Sequence, residues 1–184
     1  AKKDVEKKIL ICNADEGDPG AFMDRSLMES VPHLLLEGML IGAYATGSDI
    51  LFIYCRAEYP LAIEHLKIAI EDIKARKLNV VDGKELDIII KEGAGAFVCG
   101  EETALLASLE GRRGTPRFRP PFPTDSGWKG YPTSLNNVET FSNVPLLIGE
   151  GAEKYSSVGT ENSKGTKLFA LAGDLEKPGL IEVP

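Results

Sequence analysis

"ELDIIIKEGAGAFVCGEETALLASLEG", residues 85–111, carries the reading of the fold. An apolar, β-rich run (85–93) leaves through alternating Gly and Ala and meets "GEETALLASLEG" (100–111), a short helical pattern stopped by Gly111. A strand feeding a helix through a glycine-rich turn is half of a βαβ unit, and two more strand–helix pairs precede it. "KKILICNAD" (7–15) reads as a buried strand, and "DEGDPGAFMDRS" after it as a loop. "SVPHLLLEGMLIGAYATG" (30–47) reads as a mostly buried helix, with Pro32 in its first turn and Gly47 at its stop. "DILFIYCR" (49–56) reads as a central strand, and "YPLAIEHLKIAIEDIKARKL" (59–78) as an amphipathic helix. The β-α-β-α-β-α order predicts an α/β fold: a mostly parallel sheet with helices on both faces. Ligands of such sheets sit beyond the carboxyl ends of the strands. There the first strand ends in "NADEGD" and the third in "GAGAFVCGEE".

Downstream, "RRGTPRFRPPFPTDSGWKGYPTS" (112–134) is long and irregular, which marks a functional loop. "LNNVETFSNVPLLIGEGAEKY" (135–155) reads as a capped helix that breaks at Gly149 to Gly151. "KGTKLFALAGDLEKPGLIEVP" (164–184) reads as a hairpin. The expected division is an α/β domain over 1–163 and the opening strands of a second, β-rich domain over 164–184.

The 184 residues are 43% hydrophobic, enough for one full domain. A net charge of -7 argues against a general binder of nucleic acid or anionic membrane. No apolar run is long enough to insert directly in a membrane, and no signal-peptide pattern opens the chain. The first residue is Ala1, and "AKKDVEKK" reads as a lead into the first strand of a longer protein. Cys12, Cys55 and Cys99 are odd in number and widely spaced, which points to packing residues in a reducing cytoplasm. Three cysteines cannot supply the four ligands of a cubane iron–sulfur cluster.

Each polar cluster has a structural and a functional reading. "NADEGDPG" places Asn13, Asp15, Glu16 and Asp18 within six residues. It fits a turn-forming acidic loop, a hard-cation loop without EF-hand spacing, or an acceptor set for ribose hydroxyls. "GAGAF" puts Val98 where a dinucleotide fingerprint needs its third glycine, so it is not the usual pyrophosphate turn. Glu101 and Glu102 at a helix start compensate its dipole, worth about 0.3–1 kcal/mol, or face a ligand. Arg117, Arg119 and the proline-held Phe122 form either a rigid strap or a phosphate and ring contact. Asn136 and Asn137 start a helix: one serves as its cap, or both meet a phosphate or ring edge. His33 and His65 sit in helix patterns and read as structural.

Together, "NADEGDPGAFMDR", "GAGAFVCGEETALLASLEGRRGTPR", "RPPFPTDSGWKGYPTSLNNVETFSNVP" and "GDLEKPG" resemble the flavin-binding NADH dehydrogenase subunit of respiratory complex I. The same module recurs in NAD(P)-linked hydrogenases and formate dehydrogenases, and the resemblance runs over almost the whole chain. It implies a Rossmann-like domain holding FMN, hydride transfer from NADH or NADPH to the flavin, and single electrons leaving through iron–sulfur clusters. No side chain is then a catalytic acid or base, and no metal is expected here. The resemblance assigns Asn13, Asp15, Glu16, Gly100, Glu101, Glu102, Asn136 and Asn137 to FMN. It assigns Asp18, Phe97, Glu102, Arg119 and Phe122 to the nicotinamide nucleotide. Asp18 would repel a 2′-phosphate, whereas Arg112, Arg113, Arg117 and Arg119 leave NADP(H) open.

The resemblance further implies partner subunits of a multi-subunit redox complex, one of them an iron–sulfur subunit, in the cytoplasm or peripheral to the membrane. The second domain would be ubiquitin-like. Against the family pattern, a GRGGAGFPTG-type stretch and the domain with the four 4Fe-4S cysteines are missing from this sequence. Position 97 is Phe where Tyr is common, 119 is Arg where some members have Lys, and Asp18 is shorter than the Glu of some members. The chain alone is therefore expected to be inactive. The alternatives are a flavin-free interaction scaffold and a metal-dependent hydrolase on the acidic loops.

Overall fold

The computed structural model describes residues 5–184. The reading of residues 1–4 as a strand lead-in lies outside them. Four strands form one all-parallel sheet: β1 (Ile9–Ala14), β2 (Ile50–Arg56), β5 (Asp87–Gly93) and β6 (Thr133–Asn137), in the order β5-β2-β1-β6. β1 is central. Its Cys12 stands opposite Ile53 on one side and Asn136 on the other. Side chains alternate across such a sheet, so successive residues of one strand serve two cores. Leu10, Cys12 and Ala14 join Leu51, Ile53 and Cys55 in a core with Met28, Leu35, Leu36, Met39, Leu66 and Phe141. These come from α1 (Met23–Ser30), α2 (Pro32–Thr46), α3 (Pro60–Ala75) and α5 (Val138–Glu150). Ile9 and Ile11 face the other way, onto Phe52, Tyr54, Leu105 and Leu106. That side is covered by α4 (Glu102–Leu109) and by the strap carrying Trp128, whose ring lies 5.0 Å from Phe52.

The fold is the expected α/β sheet with helices on both faces, and three local expectations change. The stretch after β1 is not loop throughout, because α1 occupies Met23–Ser30. Its cap position is Phe22, which has no side-chain acceptor, so the usual start signal is missing. The helix expected over 135–155 begins at Val138, and Thr133–Asn137 before it is a strand. "TSLNN" has little intrinsic strand preference, and its pairing with β1 imposes the conformation. α5 continues through Gly149 to Glu150, with Gly151 as its C-cap and α6 (Ala152–Ser156) beyond. The helix expected over 59–78 stops at Ala75, and a small hairpin follows, β3 (Val80–Val81) and β4 (Lys84–Glu85). Its turn is Asp82-Gly83, both at positive φ (49° and 75°), the conformation an Asp-Gly hairpin turn requires.

At the C-terminal end, β7 (Lys167–Leu171) and β8 (Gly179–Val183) form the expected antiparallel hairpin. Glu139 of α5 ties it to the main body. Leu168 N–H donates to Glu139 Oε1 at 2.8 Å, and Lys167 pairs with Glu139 Oε2. Cys12, Cys55 and Cys99 are free and buried. His33 pairs with Asp72 at 3.1 Å, and His65 Nδ1 lies 2.6 Å from Glu29 O. Among the described residues no helix is long and apolar enough to cross a membrane.

Candidate functional site at the carboxyl edge of the sheet

Parallel pairing aligns the four carboxyl ends, so Ala14, Arg56, Gly93 and Asn137 close neighbouring strands, with Asn13 one residue inside. Asn13 sets the first turn. Its Nδ2 donates to Gly100 O at 2.8 Å, and its Oδ1 accepts from Asp15 N–H at 3.1 Å. The acidic loop is thereby fastened to the glycine-rich turn that follows β5.

Most of the carboxylates at this edge are held by the protein's own N–H groups. Glu16 accepts from Met23 N–H (2.9 Å), Asp24 N–H (3.2 Å) and Arg25 N–H (3.2 Å), and so replaces the cap that Phe22 cannot provide for α1. Glu101 caps α4, accepting from Thr103 N–H and Ala104 N–H, both at 2.9 Å, and from Thr103 Oγ1 at 2.5 Å. Burial raises the proton affinity of Glu101, but the bonds from Thr103 and Ala104 outweigh it and bring the pKa below the usual value. Thr103 Oγ1 in turn accepts Arg117 N–H at 2.9 Å, which anchors the strap. Arg117 also donates to Pro121 O (2.9 Å) and Ser126 O (2.6 Å), so the long loop is folded on itself. Glu102 pairs with Arg119 at 2.5 Å.

Asp15 differs. Its side chain is 2% exposed, its Oδ1 stands 3.6 Å from Arg56 Nη1, and that gap is too long for a hydrogen bond. Asp15 Oδ2 and Arg56 Nη1 are both buried without a hydrogen-bond partner. Arg56 instead donates through Nη2 to Glu58 Oε1 at 2.8 Å. Burial raises the Asp15 pKa, Arg56 opposes the rise, and Glu58 adds to it. Tyr59 lies between two guanidinium groups, Arg25 at 5.5 Å and Arg56 at 6.0 Å, and its hydroxyl donates to Glu16 O at 3.0 Å. Burial and Glu16 push the Tyr59 pKa up to about 12, so it remains a neutral donor.

Beyond β6, Asn137 caps α5 by accepting from Glu139 N–H at 2.9 Å, and its Nδ2 donates to Asp24 Oδ2 at 2.6 Å. Asn136 is exposed on the strand end. Asp24 is 6% exposed. Burial raises its pKa to about 6; the bond from Asn137 opposes this, Glu16 adds to it, and Lys167 lowers it.

The structure thus gathers Asn13, Asp15, Gly100, Glu101 and Glu102 around the turn after β5. Glu16 and Asn137 lie on the α1 side of β1, linked through Asp24. Phe97 is 66% exposed and packs on the acidic loop, where a Cβ at Gly17 would lie 2.8 Å from its ring. Asp18 and Phe122 are exposed on two separate loops. Arg56, Glu58, Tyr59 and Asp24 escaped the sequence reading. A charged residue closing the apolar run "DILFIYCR" is the signal that marks Arg56. Asp24 falls in a stretch that reads as loop, and nothing local marks it. Among the described residues, no group of three or more His, Cys, Asp and Glu side chains forms a metal-holding cluster.

An all-parallel sheet with a glycine-rich turn, helix starts and a buried charge pair at its carboxyl edge defines a ligand-binding α/β domain. Residues 1–146 match the model of the Nuo51 FMN-binding domain, and the chain belongs to that family, shared by complex I and hydrogenase flavoprotein subunits. Its relatives include the NADP-reducing hydrogenase subunit HndC of Solidesulfovibrio fructosivorans, 55% identical over 98% of this chain and 37% of that protein. The F subunit of NADH-quinone oxidoreductase from Aquifex aeolicus (strain VF5) is 48% identical over 96% of this chain and 42% of that protein. The crystal structure of a NAD+-reducing NiFe-hydrogenase in the H2-reduced state superposes with a TM-score of 0.92 at 44% identity, covering 98% of this chain and 31% of that one. The chain therefore spans well under half the length of these relatives.

Proposed function

We propose that this chain forms the FMN- and nicotinamide-nucleotide-binding part of an NAD(P)H:acceptor oxidoreductase subunit. The observation that carries the reading is the buried, unpartnered Asp15 Oδ2 beside the unpartnered Arg56 Nη1. Native proteins rarely leave such groups unpaired, and here they lie on an edge where Glu16, Glu101 and Glu102 are each satisfied. The glycines fit the same reading. A Cβ at Gly100 would stand 3.3 Å from Asp15 O, and Gly95 holds φ +80°, so bare backbone lines the turn.

Bound FMN would supply hydride acceptance and one-electron release. Asp15, with Gly100, would meet the ring or ribityl donors, and Asn136 the phosphate side. Asn13, Glu16, Glu101 and Asn137 would hold the walls through their backbone bonds. Glu102 and Arg119 would face the nicotinamide nucleotide, with Phe97, Asp18 and Phe122 along its length. Electrons would leave to iron–sulfur partners of a multi-subunit, cytoplasmic or membrane-peripheral complex. The division at 163/164, with β7 and β8 opening a second domain, belongs to the same proposal.

The test is an FMN titration followed by flavin fluorescence. It compares the chain with a chimera in which the chain replaces its matching part of the Solidesulfovibrio fructosivorans subunit. Binding by the chimera, with or without binding by the chain, is the expected result. If neither binds while both are folded, the flavin reading falls and a scaffold role takes its place.

A further inference from the structure

We propose that Arg56 is a positioning residue for Asp15. Its single guanidinium, shared between Asp15 and the exposed Glu58, holds Asp15 as an anion and leaves Oδ2 open to a hydrogen-bond donor of the ligand.

The geometry carries this in three parts. Asp15 is one of two buried carboxylates at the edge, with its side chain 2% exposed, and unlike Asp24 it has an oxygen without a hydrogen bond. An isolated carboxylate in such a place takes up a proton unless an opposite charge stands close by. Arg56 Nη1 at 3.6 Å is that charge. Second, the guanidinium is not free to turn. Nη2 is bonded to Glu58 at 2.8 Å, and the plane stands over Tyr59 at 6.0 Å. Third, glycines let bare backbone pack closely on the buried pair, with no side chain supplying the missing bonds. A Cβ at Gly17 would lie 2.8 Å from Arg56 Nη1, and one at Gly100 would lie 3.9 Å from Asp15 Oδ2. An ionised carboxylate is acceptor-only, so the matching ligand group is a hydroxyl or a ring N–H.

The charged and titratable groups around Asp15 come from its own loop and from the end of β2. Glu16 follows it in the chain but is turned to the α1 N–H groups. Arg56 and Glu58 face it from β2, with Tyr54 and Cys55 behind. Burial pushes Tyr54 and Cys55 each to about 12, so both stay neutral near pH 7 and Arg56 is the cation of the set. The step from Asp15 to flavin rests on the function proposed above. The step from Arg56 to Asp15 does not.

The experiment follows the Asp15 carboxyl by 13C NMR against pH in the ligand-free chain, with circular dichroism to confirm folding. Arg56→Met should raise proton affinity at Asp15 about tenfold, and Arg56→Lys should recover part of that change. Glu58→Gln removes an exposed competitor and should lower the affinity about twofold or more, a change of opposite sign on a residue that does not threaten the fold. An unmoved Asp15 midpoint in folded Arg56→Met overturns the proposal. If that variant does not fold, an unmoved midpoint in Glu58→Gln does so. FMN titration of the same proteins adds a second readout: weaker binding by Arg56→Met at pH values below its raised Asp15 midpoint, recovering as the pH passes that midpoint. Absence of FMN binding in all forms, with the midpoints shifting as stated, would overturn the flavin reading and leave Arg56 as the partner of Asp15.

Discussion

The two ends of the four-stranded sheet are built on opposite principles. At the amino edge lies a cleft of about 410 Å³, lined among others by Lys8, Thr46, Ser48, Thr133 and Ser134. Several of its polar groups are answered from within. Lys8 N–H donates to Asp49 at 2.8 Å, Thr46 meets Ser48 at 2.7 Å, and Thr133 Oγ1 accepts Trp128 N–H at 2.9 Å. At the carboxyl edge, by contrast, a buried carboxylate oxygen and a guanidinium nitrogen lack partners. Open volume alone does not mark a ligand site. A buried charge pair left without hydrogen bonds marks it better, because charged groups carry a larger desolvation cost than the neutral Asn79 Oδ1 and Trp128 Nε1, which are also unpaired.

The largest expected effect tests how strongly the carboxyl edge holds charge against burial. Asp24 has a folded pKa of about 6 against an ordinary 3.8, so the native state binds the extra proton between those values. Its contribution to stability is present below the unfolded pKa and is lost as pH rises through the folded one, by up to about 3 kcal/mol. Asp24→Asn should remove that loss. Denaturant melts from pH 4 to 7 should show the two proteins diverging in favour of the variant as pH rises, and parallel curves would break the comparison. Next comes Glu16→Ala, which strips three N–H bonds from α1 and should cost about 2 kcal/mol in the same assay. Gly95→Ala forces a side chain into φ +80° and places its Cβ 2.8 Å from Glu58 Oε1. The expected loss is about 1–2 kcal/mol, read as a lower melting temperature. The smallest effect belongs to the amino edge. Ser134→Ala should stay within about 0.5 kcal/mol and leave FMN affinity of the chimera unchanged. A drop in affinity there would move the site to the amino-edge cleft.

Much of the architecture is legible because its signals are local. Three apolar runs, each answered by a helical pattern, state a parallel sheet, and the glycine-rich exit of the third shows where its carboxyl edge lies. The hairpin at β7–β8 is equally plain. The Asp82-Gly83 turn is as local a signal, though the sequence reading does not include it. α1 and β6 escape that reading for a physical reason. α1 takes its cap from Glu16, seven residues before the bonded Met23, and β6 is extended only because β1 lies beside it.

The sequence by itself therefore determined the fold, the edge at which the proposed site lies and, through its motifs, the family. It also named most of the residues at that edge. It did not determine their roles. Glu16, Glu101 and Asn137 cap helices, while Asp15 faces an arginine that no motif marks. Those roles depend on partners far apart in the chain: Asn13 with Gly100 at a separation of 87 residues, and Asn137 with Asp24 at 113. Apolar periodicity is written in neighbouring residues, so it can be read along the chain. The partner of a buried polar group is settled only when strand order sets one chain end beside another, and that is a property of the tertiary fold.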